Sequence, residues 1–156
     1  MIFVASKDDG LQIHNINAST TVFNQDEVEC VDELWGEYQA QGPVRSGYFF
    51  IVDKEGERVR GYACYGPRAL TDRTYDLYWI AVDPNARGGG IGKRLLAATE
   101  EAVRKLGGRL LILETSGLPE YAPTRAFYLA TGYLLEATLK DFYSDGDDLV
   151  VFTKRL

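Results

Sequence analysis

The stretch from Tyr75 to Glu114 constrains the fold of this 156-residue chain more than any other. It opens with a strand pattern, Tyr75 to Val82, stopped at Asp83-Pro84 because proline has no amide to give to a ladder. Four glycines follow between Arg87 and Gly92, and after them an amphipathic helix from Ile91 to Leu106. Leu95, Leu96, Thr99, Ala102, Val103 and Leu106 share one face of that helix, while Lys93, Arg94, Glu100, Glu101, Arg104 and Lys105 share the other. Gly107-Gly108 supplies the stop. Arg109 to Glu114 is then a short, nearly all-apolar run, as expected of a strand covered on both faces, with parallel neighbours. Strand, turn, helix and strand make a βαβ unit at the centre of a mixed α/β fold.

The flanking segments fit one domain over residues 1–156, a size at which 46% apolar residues suffice for a core. Ile2 to Ala5 reads as a short strand and Asp8 to Ile16 as a short helix. Asn24 to Gln41 reads as a longer helix with Val28, Val31, Trp35 and Tyr38 on one stripe. Asn24 followed by Glu27 is a capping-box pattern. Gly47 to Val52 and Arg58 to Tyr65 read as a hairpin around Asp53-Lys54-Glu55-Gly56. Thr124 to Ala130 forms a short helix, and Tyr133 to Tyr143 and Leu149 to Lys154 form strands around a polar turn.

Charge and cysteine content narrow the function. A net charge of -6 disfavours a sequence-independent grip on nucleic acid and suits a cationic or neutral substrate. Cys30 and Cys64 form neither a disulfide framework nor a metal-ligand pair, so no metal is expected and the setting reads as reducing and cytoplasmic. The opening residues turn acidic at Lys7-Asp8-Asp9, too early for a signal peptide. No apolar run approaches membrane-spanning length.

A glycine turn between a strand and a helix lets backbone amides and the positive end of the helix dipole face an anion, although such turns also serve purely steric needs. Two familiar phosphate loops fail here. A Walker A loop would need glycine at Arg87 and Ser or Thr at Arg94. A dinucleotide fingerprint would need glycine at Lys93, Arg94 or Leu95. The segment Arg87, Gly88-Gly89, Gly90, Ile91, Gly92 instead resembles the pyrophosphate-binding motif of the GNAT superfamily of N-acetyltransferases: Arg or Gln, two residues, Gly, one residue, Gly or Ala. Ile80-Ala81-Val82-Asp83-Pro84 resembles that family's acetyl-CoA-binding strand, and Ala126 to Tyr133 its later helix and strand. One position departs: many relatives carry Asn seven residues before the helix tyrosine, where this chain has Tyr121.

The resemblance implies a central mixed sheet of about six to seven strands flanked by about four helices, with a splayed pair of parallel strands around the cofactor. It implies acetyl-CoA as co-substrate, held by backbone groups of Ile80, Ala81 and Val82 along the pantetheine arm. Arg87, Gly88, Gly89, Gly90, Ile91 and Gly92 would surround the pyrophosphate, with Lys93 nearby. For Lys93 and Arg94, a solvated helix face is the alternative to direct contact. It further implies that Tyr128 protonates the departing thiolate. Some relatives carry a carboxylate base where this chain has Asp76, and strand alternation puts Asp76, Tyr78 and Ile80 on one face. An exposed strand-end Asp is the other reading, and Glu114 is a second candidate base.

His14, the single histidine, lies far from every motif, which disfavours a hydrolase triad. The helix from Asn24 to Gln41 carries Asp26, Glu27, Glu29, Asp32, Glu33 and Glu37 with no basic residue: an attractor for a cationic amine, or a solvated face. Tyr48, Tyr62, Tyr65, Tyr78 and Trp79 are candidates for the acceptor pocket. The expected activity is acetylation of a primary amine of a small molecule or peptide by direct attack. The alternative is a non-catalytic acyl-CoA-binding or sensing module. A homodimer is compatible with the family, and no residue pattern singles it out.

Overall fold

The computed structural model describes residues 1–86 and 88–156. Arg87, the first residue of the expected phosphate-binding motif, lies outside them. Among the described residues, β1 (Ile2–Val4), β2 (Phe49–Glu55), β3 (Arg58–Pro67), β4 (Thr74–Val82), β5 (Leu110–Ser116), β6 (Leu134–Ser144) and β7 (Asp147–Arg155) form a seven-stranded sheet, ordered β1-β2-β3-β4-β5-β7-β6. The helices are α1 (Gly10–Ser19), α2 (Gln25–Ser46), α3 (Ile91–Lys105) and α4 (Ala122–Ala130). None of them is long and apolar enough to cross a membrane.

Strand alternation divides the core into two layers. Ile51, Ala63, Leu77, Leu111, Leu113 and Phe152 pack on one face against Ile91, Leu95, Leu96 and Val103 of α3 and Tyr128 of α4. Phe50, Val52, Tyr62 and Cys64 face the other way, against Ile13 and Ile16 of α1 and Val31 and Tyr38 of α2. Helix α3 lies close to the sheet because β3 has Gly61 beneath it: a Cβ there would sit 2.8 Å from the Ala81 carbonyl and 3.0 Å from Leu95 Cδ1.

The capping box at the start of α2 forms as the sequence indicates. Asn24 Oδ1 accepts the Glu27 amide at 2.9 Å, and Glu27 Oε2 accepts the Asn24 amide at 2.8 Å. Helical geometry breaks at Gly42 (φ 75°), before Pro43, and one further turn completes α2.

Four expectations need correction. The neighbours of β5 are not both parallel: β4 is, but β7 is antiparallel, because β6 and β7 form a hairpin whose second strand returns beside β5. Glu100 does not belong to the solvated face of α3. It is 7% exposed and accepts hydrogen bonds from Tyr133 Oη at 3.0 Å and from Lys154 Nζ at 2.9 and 3.0 Å, so a charge that periodicity puts outside is buried with a partner. Leu106, expected on the apolar face, is exposed where α3 ends. Asp76, Tyr78 and Ile80 do not share a face. Pairing of β3 with β4 passes from Cys64 opposite Trp79 to Tyr65 opposite Leu77, so Tyr78 is an extra residue in a β-bulge. Tyr78 and Trp79 therefore both pack toward the α1 and α2 layer, and Ile80 turns to the α3 layer.

Candidate active site

The bulge also creates the central feature of the site. Strands β4 and β5 pair in parallel only from Thr74 opposite Leu110 to Leu77 opposite Leu113. Beyond Leu77, the bulge bends β4 away. Ile80, Ala81 and Val82 keep their partners Ala63, Tyr62 and Gly61 on β3 and have none on the β5 side. The result is a wedge-shaped gap with an open strand edge on one wall.

The glycine turn closes the wide end of this wedge. Gly88 (φ 100°) and Gly90 (φ 67°) take left-handed conformations that a side chain would strain, and a Cβ at Gly88 would meet only open space. Gly92 is different. A Cβ there would lie 3.5 Å from Phe127, an ordinary contact, so close packing of α4 on α3 leaves room for nothing much larger than alanine. The N-cap of α3 is Gly90, which offers no side-chain cap, and the first turn holds no acidic residue. The amides of that turn, before Arg94 closes the first bond to the Gly90 carbonyl at 3.0 Å, have no acceptor among the described residues. They form a donor set open to an anion.

Arg94 does not face that anion site. Its Nε donates to Asp53 Oδ2 at 2.8 Å and its Nη1 to the Gly89 carbonyl at 2.5 Å. Asp53, fully buried, also accepts from Arg60 Nε at 2.9 Å. Burial alone would raise its pKa, but hydrogen bonds from Arg94 and Arg60 outweigh that and hold the carboxyl below its ordinary range. Arg94 thus ties the turn to the sheet. Lys93 stands on the α4 side of α3, on a cavity of about 300 Å³ that also borders Ala97, Glu100, Thr131 and Lys154. A larger hollow of about 600 Å³ sits in the crook of α2, along Glu33, Glu37, Gln41 and Tyr48.

Tyr128 approaches from the α3 layer. It is 5% exposed, and its ring packs against Phe127, Phe152 and Tyr133 at centroid distances of 5.6, 5.6 and 6.0 Å. Burial pushes its phenol well above the usual tyrosine range. The hydroxyl has no hydrogen-bond partner among the described residues, yet the one sealed side-chain polar atom without a partner there is Asn17 Nδ2. Helix α4 is held to the end of β5 by Arg125, whose Nη1 donates to the carbonyls of Ser116 at 2.7 Å and Leu118 at 2.9 Å.

Asp76 and Glu114 lie on the opposite face of the sheet and are brought together by Arg68, whose Nη1 donates to Asp76 Oδ1 at 2.8 Å and Glu114 Oε1 at 3.3 Å. Neither is a strand-end carboxylate, since β4 begins at Thr74 and β5 runs on to Ser116. Burial raises the Asp76 pKa, Arg68 lowers it, Glu114 raises it again, and the net shift is upward. Arg68 was invisible to motif reading because it sits in the connection between β3 and β4, where nothing local marks it.

Of the aromatic candidates, Tyr62 and Tyr65 are core residues. Tyr62 is buried with its hydroxyl donating to Asn17 Oδ1 at 2.7 Å, and Tyr65 packs in the α3 layer. Tyr48, Tyr78 and Trp79 are partly exposed on the α1 and α2 side, with Tyr48 edge-on to Tyr78 at 5.5 Å and Phe23 edge-on to Trp79 at 5.3 Å. Tyr121 fills the position of the departing residue. Its hydroxyl donates to the Val22 carbonyl at 3.0 Å and Glu27 Oε1 at 3.3 Å, fastening the α1–α2 loop beside the gap. His14 pairs with Asp32 at 2.8 Å between α1 and α2, remote from these groups.

Comparison with known proteins agrees with this architecture. Residues 12–133 match the model of the acetyltransferase (GNAT) family. A GNAT-family crystal structure from Desulfovibrio desulfuricans is 42% identical, with 99% of this chain and 98% of that one covered and a TM-score of 0.95. A ribosomal-protein-alanine N-acetyltransferase from Brucella melitensis is 26% identical over 100% and 99% of the two chains, with a TM-score of 0.79. A protein from Salmonella typhimurium, solved with its cofactor acetyl-CoA, shares the fold at 21% identity and a TM-score of 0.78, over 100% and 93% of the chains. No curated protein matches. A family match over most of the chain, on a sheet whose parallel strands part beside an uncapped helix, places this protein in the GNAT family of acetyltransferases.

Proposed function

We propose that this protein transfers the acetyl group of acetyl-CoA to a primary amine of a small molecule or peptide by direct attack. The observation that carries this reading is the open β4 edge at Ile80, Ala81 and Val82 running toward the uncapped first turn of α3. An extended ligand with amides along one part and phosphates at the end satisfies both sets of unpaired backbone groups at once. Pantetheine pyrophosphate has that order of groups, and the acetyl thioester supplies the activated acyl carbon. Gly88, Gly89, Gly90, Ile91 and Gly92, with Arg87 and the Lys93 amide, would hold the phosphate end.

Placement supports each remaining role. Amides on the open edge can stabilise an oxyanion. Asp76 or Glu114, on the α1 and α2 side, accepts a proton from the incoming ammonium, directly or through water. Tyr128, on the α3 side, donates to the sulfur as negative charge grows there. Holding both reactants in one gap adds the advantage of proximity, for which effective molarities of ~10⁵ M or more are attainable.

The test is thiol release from acetyl-CoA across a panel of amines. Release that depends on a particular amine supports the proposal. Tight coenzyme binding by calorimetry with no release from any amine would instead favour a binding or sensing module. Arg87→Ala should weaken coenzyme affinity by about 1.5 to 3 kcal/mol, the worth of one charge-assisted phosphate contact.

A further inference from the structure

We infer that Arg68 is a positioning residue of the acceptor site, holding Asp76 and Glu114 as one anionic pair at the mouth of the β4–β5 gap. The inference rests on the acetyl-transfer reading above and deepens it. Strand pairing between β4 and β5 ends at Leu77 opposite Leu113, and Glu114 is the next residue on β5. A single guanidinium nitrogen reaches across that point, at 2.8 Å from Asp76 on one wall and 3.3 Å from Glu114 on the other. Arg68 itself is fixed from behind, since its amide donates to the Thr74 carbonyl at 2.8 Å and its carbonyl accepts from Thr71 Oγ1 at 2.8 Å.

The staple is not sealed in the core. The Arg68 side chain is 44% exposed and that of Glu114 39%, whereas that of Asp76 is 8% exposed. The cluster is partly open to solvent where the β4–β5 pairing ends, and two carboxylates against one guanidinium leave it net negative, which suits an arriving ammonium. Each carboxylate keeps one oxygen not engaged by Arg68. In the proton step, the ammonium nitrogen keeps the electron pair of its N–H bond and the proton passes to a carboxylate oxygen. The group that must be ionised beforehand is Asp76, the more buried of the two.

The other titratable groups nearby are Tyr78, which senses both Asp76 and Arg68, and Tyr143 on β6, which senses Glu114. Both phenols are pushed up to about 12 and stay neutral through the working range. Glu27 and Asp147 also act on Tyr143, so charge at this corner is set by Arg68, Asp76 and Glu114 with those two carboxylates behind them.

The experiment follows the Asp76 side-chain carboxyl by ¹³C NMR titration in the full chain, alongside the pH profile of kcat/KM for the best amine of the panel. Removing the cation with Arg68→Met should move the Asp76 midpoint upward by about one pH unit or more. The acid limb of the rate profile should move upward with it, while coenzyme affinity stays unchanged. Arg68→Lys should return both toward wild type. Glu114→Gln, a same-size change at a half-exposed position, should lower the Asp76 midpoint, and Arg68→Gln, which also removes the cation, serves if Arg68→Met does not fold. An Asp76 midpoint that ignores these changes in a folded variant would overturn the role of Arg68 even if the enzyme acetylates amines. Midpoints that move as stated in a protein that acetylates no amine would leave the coupled pair standing and defeat the acetyl-transfer reading alone.

Discussion

A phenol facing a departing thiolate must be protonated at working pH, as an ordinary tyrosine with a pKa of about 10 already is. Burial raises Tyr128 further, which favours a hydrogen bond to the sulfur over complete transfer of the proton to a thiolate whose thiol has a reference pKa of about 8.5. Its hydroxyl bonds to no described residue, so Tyr128→Phe removes a donor without orphaning an acceptor. The variant should keep its melting temperature and coenzyme affinity while turnover falls by roughly 10² to 10⁴. A wild-type rate, with chemistry shown to be rate-limiting, would reduce Tyr128 to a packing residue. Asp53 makes a separate claim at this scale. Asp53→Asn breaks the link from the glycine turn to the sheet and should cost about 2 to 4 kcal/mol, given a buried carboxylate bonded to two arginines. Because its folded pKa is depressed, its contribution is fully present above the unfolded carboxylate pKa of about 3.9 and disappears as pH falls through the lower folded value. Below about pH 4, the melting temperatures of wild type and Asp53→Asn should therefore converge. A gap that persists to low pH would show that packing, not charge, is what Asp53 supplies.

Elements were legible where local chemistry determines them, and less so where a neighbour does. The α2 start could be read from Asn24 and Glu27 because the capping box is satisfied within four residues. The start of α3 could be read from Gly90 and Ile91, and its end from Gly107, which takes φ 80°. The bulge at Tyr78 had no such mark. It arises from how β4 registers on β3, and period-two reading carried straight through it put Ile80 on the wrong face. The same limit hid Arg68, whose partners lie 8 and 46 residues away. The element most open to test is the turn into α3. Gly90→Val forces a β-branched residue into φ 67°, and it should weaken coenzyme binding at least tenfold with the far-ultraviolet spectrum retained, since the helix nucleates within its own interior. Unchanged affinity in the folded variant would remove this turn from the site.

Across the whole molecule, the net charge of -6 was legible at once, but its arrangement was not, since the carboxylates nearest the gap come from separate parts of the chain. Asp76 is on β4 and Glu114 on β5, while Glu27 at the start of α2 and Asp147 at the start of β7 act together with Glu114 on Tyr143. Only the fold brings them within electrostatic reach of one another, through Tyr143 and Tyr78, as an acidic wall offset in part by Arg68. Such a wall should favour a cationic acceptor through long-range attraction as well as contact, and that attraction is sensitive to salt. The screening length shrinks from about 30 Å at 0.01 M to about 3 Å at 1 M, so the wall is felt beyond the cleft only in dilute salt. With acetyl-CoA held saturating, kcat/KM for a dicationic amine should fall by roughly threefold to tenfold between those limits, chiefly through KM. A neutral amine of similar size, assayed in parallel, should show little change, because it has no charge for the wall to attract. If both acceptors respond alike, the salt effect belongs to the coenzyme or the fold, and the acidic wall plays no part in choosing the acceptor.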